Sequence, residues 1–207
     1  MARYLPIAMD VEDKLCLVVG GGKVAERRVR TLLEAGARVR VAAPVIGFSA
    51  ENLEYLREPF IPEHLEGVIL AIAATDSPEV NEYVSLESGL RGIPVCDACS
   101  HTRGDFVVPS VIRRGDLLIS VSSGGASPAL AARIGREIEE TYGPEYAVWM
   151  DILLQARELA QKIPDGPLRH RTLKELALDD STLDMIREGR VPEARARALS
   201  CILSLLD

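Results

Sequence analysis

Residues 15–25 read LCLVVGGGKVA, and the order of residue types there constrains the chain more than any other stretch. Leu15 to Val19 is an unbroken apolar run, the pattern of a strand buried on both faces of a parallel sheet. Gly20, Gly21 and Gly22 follow at once, and Lys23-Val24-Ala25 opens a helical period. Strand, glycine turn and helix, with the spacing G-x-G-x-x-A, are the parts of a dinucleotide site. The glycines let the backbone approach a pyrophosphate closely, and the unpaired N–H groups of the helix start face the phosphates. The competing reading is a tight strand-to-helix turn that holds no ligand.

The rest of the first half repeats the rhythm. Ala25, Val29, Leu32 and Leu33 share one helical face, and Gly36 stops that helix. Val39, Val41 and Ala43 continue as a second strand, ended by Pro44, and a partly polar stretch runs to about Glu66. Val68 to Ala74 is a third buried strand, with Thr75-Asp76 at its carboxyl end. Ser77 caps a helix that has Pro78 in its first position and runs to about Leu90. Ile93 to Cys96 is a fourth strand leading into Asp97. The alternation predicts an α/β fold, a Rossmann-like doubly wound parallel sheet.

The pattern changes after residue 105. Phe106–Ile112 and Leu117–Val121 are strand-like runs joined by Arg113-Arg114-Gly115-Asp116, a hairpin signal. Ser127-Pro128 starts a helix that Gly143-Pro144 stops. Beyond it the composition is helical, with Trp149, Ile152, Leu153, Ala156, Leu159 and Ala160 on one amphipathic face and a break at Pro164-Asp165-Gly166-Pro167.

Ligands of such sheets bind beyond the carboxyl ends of the strands. The glycine turn, Thr75-Asp76 and Asp97 converge there. Asp97 can take a proton during oxidation of a substrate or loss of N–H protons, and a turn-forming carboxylate is the equal alternative. Asp76 reads as structural. The acidic residue that usually grips the adenosine ribose is missing, because neither Asp nor Glu occurs between Ala35 and Ala50. Arg38 and Arg40 alternate out of the second strand, where one could face a 2′-phosphate, so these residues leave NAD and NADP both open.

Cys96-x-x-Cys99-x-His101 offers sulfur and imidazole, but no second ligand pair exists, so no closed structural metal site is expected and no metal ligand is assigned. Cys96 reads as a buried strand residue. The small polar loop 122–128 ends in the helix cap Ser127, and its N–H groups could receive a carboxylate or phosphate. Arg113, Arg114, Arg133 and Arg136 lie near it in sequence and hint at an anionic substrate within a chain of net charge −7. That net charge argues against general nucleic-acid binding. No window is apolar enough to span a membrane, and neither a signal peptide nor a secreted disulfide framework is visible among four cysteines. A cytoplasmic protein is expected.

Together and in order, LPIAMDVEDKLCLVVGGGKVAERRVRTLLEAGARV, AIAATDSPEVN, IPVCD and FVVPSVIRRGDLLISVSSGGASPALAARIGREIE resemble the precorrin-2 dehydrogenase/sirohydrochlorin ferrochelatase family. The resemblance covers residues 3 to about 145. It implies a three-part chain: an NAD-binding domain over 1–113, a dimerisation region over 114–145 and a helical domain over 146–207. It implies NAD as hydride acceptor, with contacts at Gly22, Lys23, Val24, Pro44 and Val45, alongside Gly20, Gly21 and Thr75. It implies oxidation of precorrin-2 to sirohydrochlorin, a tetrapyrrole substrate, a homodimer and, in bifunctional members, transient Fe²⁺ during chelation. The family's essential aspartate matches Asp97, and a serine of its SSGG loop matches Ser123. Arg113 and Arg114 are the expected partners of substrate carboxylates. The segment from Asp97 to Phe106 is about two residues longer than the family's and lacks its Asp-Pro. A module that only senses NAD(H), without catalysis, is the alternative from a different class.

Overall fold

A computed structural model describes residues 4–100 and 104–206. The chain forms two compact units. The first runs to Val108 and includes Gly124–Ala126; the second holds Pro109–Ser123 and everything from Ser127 onward.

The first unit contains strands β1 (Leu15–Val19), β2 (Arg38–Ala42), β3 (Leu53–Leu56), β4 (Leu70–Ala73) and β5 (Val95–Asp97), with helices α1 (Lys23–Glu34) and α2 (Pro78–Leu90). The sheet order is β3-β2-β1-β4-β5 and every pairing is parallel. This is the doubly wound, Rossmann-like sheet expected. Strand alternation explains why α1 and α2 pack on opposite faces. Cys16, Val18, Val39, Val41 and Ile72 join Ala25, Val29 and Leu32 of α1 in one core. Leu17, Val19, Ala42, Ala71 and Ala73 join Val84 of α2, together with Phe60 and Leu65, in the other. β1 and β4 are apolar on both faces because both faces are covered. Chain order reverses direction between β1 and β4, and the carboxyl ends of the strands open a crevice at that point.

Three expectations needed correction. The stretch before Glu66 contains β3 and a single 3₁₀ turn at Pro62–Leu65; β3 reads LEYL, and its charge and half-burial disguise an edge strand. The strand expected from Phe106 begins only at Ser110, because Pro109 has no N–H for a ladder and restrains the residue before it. The hairpin link shrinks to Gly115-Asp116, since Arg114 already pairs with Leu117.

The second unit opens with the antiparallel hairpin β6 (Ser110–Arg114) and β7 (Leu117–Val121), followed by α3 (Pro128–Thr141). Four more helices follow: α4 (Glu145–Ala160), α5 (Gly166–Ala177), α6 (Asp180–Arg187) and α7 (Val191–Leu203). Trp149, Ile152, Ala156, Leu183, Ile186, Ala194, Ala198 and Ile202 form a core of their own. Among the described residues, no helix is long and apolar enough to cross a membrane.

Candidate functional site

A cleft of about 760 Å³ opens at the carboxyl end of the sheet in the first unit. Its wall contains Gly20, Gly21, Gly22, Lys23, Val24, Pro44, Val45 and Thr75, so all eight residues expected at a nucleotide meet around one space. The glycines differ in what demands them. Gly20 has φ +136°, and a Cβ there would run into the Ala74 carbonyl; at Gly21 it would overlap the Val45 carbonyl oxygen. These two are fixed by the protein's own backbone. At Gly22 an added Cβ meets nothing within 4 Å. Its methyl would point into open space at the start of α1, where the first helical bond is Glu26 N–H to Gly22 C=O at 3.0 Å. The N–H groups of the first turn therefore lie ahead of any helical acceptor. An uncrowded glycine at a helix N-terminus beside a large cleft fits a dinucleotide pyrophosphate.

The floor of the cleft is a turn locked from below. Thr75 donates its backbone N–H to Asn81 Oδ1 at 3.1 Å and its hydroxyl to the same oxygen at 2.7 Å, while Asn81 Nδ2 donates back to the Thr75 carbonyl at 3.1 Å. Ser77 N–H donates to Thr75 Oγ1 at 3.2 Å, and Ser77 Oγ caps α2 by accepting from Val80 N–H. Thr75 thus shapes the wall while its own polar atoms serve the turn. Asp76 is exposed on the same rim.

The two arginines of β2 are not at this cleft. Arg38 begins the strand and lines a separate recess with Asp13, Gly36 and Asn52, at the amino end of the sheet. Arg40 donates to the carbonyls of His64 at 2.8 Å and Glu66 at 3.1 Å, with Nε 3.0 Å from Glu54. Strand direction rules out the first as a 2′-phosphate ligand, and prior engagement the second.

Asp97 ends β5 and is 5% exposed. Its Oδ1 accepts the Cys99 N–H at 2.9 Å, the turn bond weighed above, and the Ala98 N–H reaches across to the Ala73 carbonyl at 2.8 Å. Asp97 is not itself in the cleft wall, but Cys99 is, and Cys99 Sγ–H donates to the Thr75 carbonyl at 3.3 Å. A short relay of hydrogen bonds therefore joins Asp97 to the cleft floor. Cys96 points into the α1-side core, and burial foremost pushes its thiol up, against the lowering pull of Arg28. His101 lies outside the described residues; among those described, no group of three or more His, Cys, Asp or Glu could hold a metal.

Ser123, Arg113 and Arg114 belong to the second unit. Ser123 Oγ accepts the Ser127 N–H at 3.0 Å, which supports the start of α3. Hairpin alternation separates the two arginines. Arg114 faces α3, donating to the Tyr142 carbonyl at 2.9 Å and the Glu139 carbonyl at 3.3 Å, with Glu139 Oε1 at 3.4 Å. Its guanidinium is engaged by the C-terminal end of α3. Arg113 lies across from Leu118 on the exposed face.

Residues not singled out by sequence also build the cleft: Pro59, Phe60 and Val80 in its wall and Asn81 behind it. Only Asn81 carried a signal, an amide three residues before Val84 on the buried face of α2.

A family model described as putative NAD(P)-binding matches residues 7–110, about half of the chain. A second, described as the central part of a sirohaem biosynthesis protein, matches residues 114–141. The siroheme synthase of Photobacterium profundum is 35% identical over 206 residues, covering 95% of this chain and 43% of that protein. That of Nitrosomonas eutropha is 37% identical over 211 residues, with 99% and 44% covered. The chain thus spans less than half the length of these relatives. Among solved structures, SirC, a precorrin-2 dehydrogenase, superposes with a TM-score of 0.74 at 27% identity, covering 94% of this chain and 100% of that one. Over residues 7–110 the chain belongs to the putative NAD(P)-binding family.

Proposed function

We propose that this chain is an NAD-dependent dehydrogenase that oxidises precorrin-2 to sirohydrochlorin. The observation that carries the reading is the pairing of two features at one end of one sheet. A glycine-walled cleft leaves Gly22 open, and a buried carboxylate, Asp97, is tied to that cleft through Cys99 and Thr75. The likeness to siroheme synthases and to SirC supports the substrate class.

When bound, the dinucleotide supplies the hydride acceptor. Gly20–Gly22 and the α1 N-terminus bind its pyrophosphate, and Lys23, Val24, Pro44, Val45 and Thr75 shape the walls around it. NAD is favoured over NADP because both arginines of β2 are directed elsewhere. Asp97 accepts a ring-nitrogen proton as hydride leaves the macrocycle carbon, so one hydride and one proton are lost together. Arg113 and Ser123 are the candidates in the second unit for the substrate's carboxylate rim.

The same carboxylate suits Fe²⁺ chelation into sirohydrochlorin, because metal entry also displaces N–H protons. A homodimer is supported by exposed Val111 and Leu118 on the hairpin and Leu130 on α3. The four free thiols suit the reducing cytoplasm.

The test is NADH formation from precorrin-2 and NAD without oxygen. Asp97→Asn is expected to abolish it while far-ultraviolet dichroism stays unchanged; undiminished turnover removes Asp97 from the mechanism. Chelation is read separately, as Fe²⁺ insertion into sirohydrochlorin without NAD. A protein that binds NAD but not sirohydrochlorin is a sensor instead.

A further inference from the structure

We propose that Asp105 is a positioning residue for Asp97, acting through a backbone clasp closed on the outer edge of β5. The inference rests on the reading of Asp97 as the proton acceptor.

Strand β5 is only three residues long and is the last of its sheet. Its inner side is bonded to β4, but an edge strand this short has an outer row of N–H and C=O groups that nothing in the sheet can satisfy. The chain itself returns to do so. Asp105 donates its N–H to the Val95 carbonyl at 2.7 Å and accepts the Val95 N–H on Oδ2 at 2.9 Å, while Gly104 bridges antiparallel to Cys96. One residue thus occupies both outward groups of Val95, using its backbone for one and its carboxylate for the other.

The approach is close enough to require glycine beside it. Gly104 has φ +106°, and a Cβ there would lie 2.8 Å from the Val95 carbonyl oxygen and 3.0 Å from the Asp97 nitrogen. Its backbone therefore packs against the peptide that carries Asp97. With Ala98 bonded to Ala73 on the inner side, Asp97 is held from both flanks of its strand. Asp105 is exposed and lines no part of the cleft, so it is positioned to act on Asp97 without touching the dinucleotide.

The experiment compares wild type, Asp105→Ala and Asp105→Asn in anaerobic precorrin-2 oxidation, with NAD affinity measured by titration and exchange followed at the Val95 amide. Asp105→Ala is expected to lose about tenfold to hundredfold in kcat, the scale of a misplaced catalytic group. NAD affinity should be unchanged and the Val95 amide should exchange faster. Asp105→Asn, which keeps an acceptor oxygen, should restore most of the rate. A general loss of structure would lower NAD binding as well and would show no rescue by Asn. Wild-type kcat in Asp105→Ala, or an equal loss in both variants, overturns the inference while leaving the reading of Asp97 intact. Absence of turnover in wild type defeats that reading and this inference with it. Should Asp105→Ala not fold, Gly104→Ala carries the same test, since it keeps the carboxylate but crowds the Asp97 peptide: a lowered kcat with unchanged NAD affinity supports the clasp, and an unchanged kcat overturns it.

Discussion

Asn81 and Thr75 exchange hydrogen bonds in both directions: the amide oxygen of Asn81 takes the N–H and hydroxyl of Thr75, and its amide nitrogen returns one to the Thr75 carbonyl. Asn81 is 1% exposed, so water cannot replace it freely. Asn81→Ala should destabilise the first unit by about 1–3 kcal/mol, the range for stranding buried polar partners. It should also weaken NAD binding, because the cleft floor loses its shape. Denaturant unfolding and NAD titration of the same variant check both effects.

The three glycines of the turn separate stability from binding. Gly21→Ala forces a methyl onto the Val45 carbonyl and should lower the melting temperature together with NAD affinity. Gly22→Ala meets no protein atom within 4 Å, so it should melt like wild type yet bind NAD at least about tenfold more weakly, a change near 1.4 kcal/mol. Normal NAD affinity in Gly22→Ala would move the nucleotide away from this turn.

Thiol chemistry offers a map of the cleft. Burial raises the Cys16 thiol to about 11, and burial foremost also raises Cys96. Cys99 and Cys201 are exposed. Iodoacetamide at mildly alkaline pH should therefore modify only Cys99 and Cys201 in the folded protein. Saturating NAD should slow Cys99, which lines the cleft, and leave Cys201 of α7 unaffected as an internal control. Peptide mass analysis reads both rates.

In the second unit, Asp179 caps α6. Partial burial works against its charge, but hydrogen bonds from Ser181, Thr182 and Arg197 outweigh that and hold its carboxyl well below the usual range. A depressed folded-state value means the stabilisation is complete above the unfolded carboxylate's value, near pH 4, and is lost as pH falls through the lower folded value. Asp179→Asn keeps a capping oxygen but loses the charge paired with Arg197, and should thus cost about 0.2–1 kcal/mol at neutral pH, the scale of a partly exposed ion pair. The deficit should shrink in acid below about pH 4. Unfolding of the two proteins across pH measures it.

The sequence was most legible where one residue type had one job. β1 and α2 have the bounds that apolar continuity and the Ser77-Pro78 cap predict, because burial on both faces and a cap leave distinct marks. β3 was hidden because an edge strand is half wet, and Glu54 interrupts its pattern while holding Arg40. The cleft's glycines stood out, yet Phe60 and Pro59 did not: they reach the wall through tertiary packing of an irregular stretch, which leaves no period. The two arginines of β2 were misjudged for a related reason. Alternation says which face a residue takes, but not which end of the sheet it serves, nor whether carbonyls already hold it. The bonds of Arg114 to the end of α3 are equally illegible locally, since they join residues 25 and 28 positions apart.

The division of buried side chains has a consequence for how the molecule comes apart. The clusters on the two faces of the sheet draw only on residues of the first unit, and the cluster built around Trp149 and Ile152 only on the second. Cooperativity follows shared burial, and each unit has an interior of its own. Calorimetry should accordingly record two events rather than one, and a ligand seated in the glycine cleft should raise the temperature of the sheet unit's event.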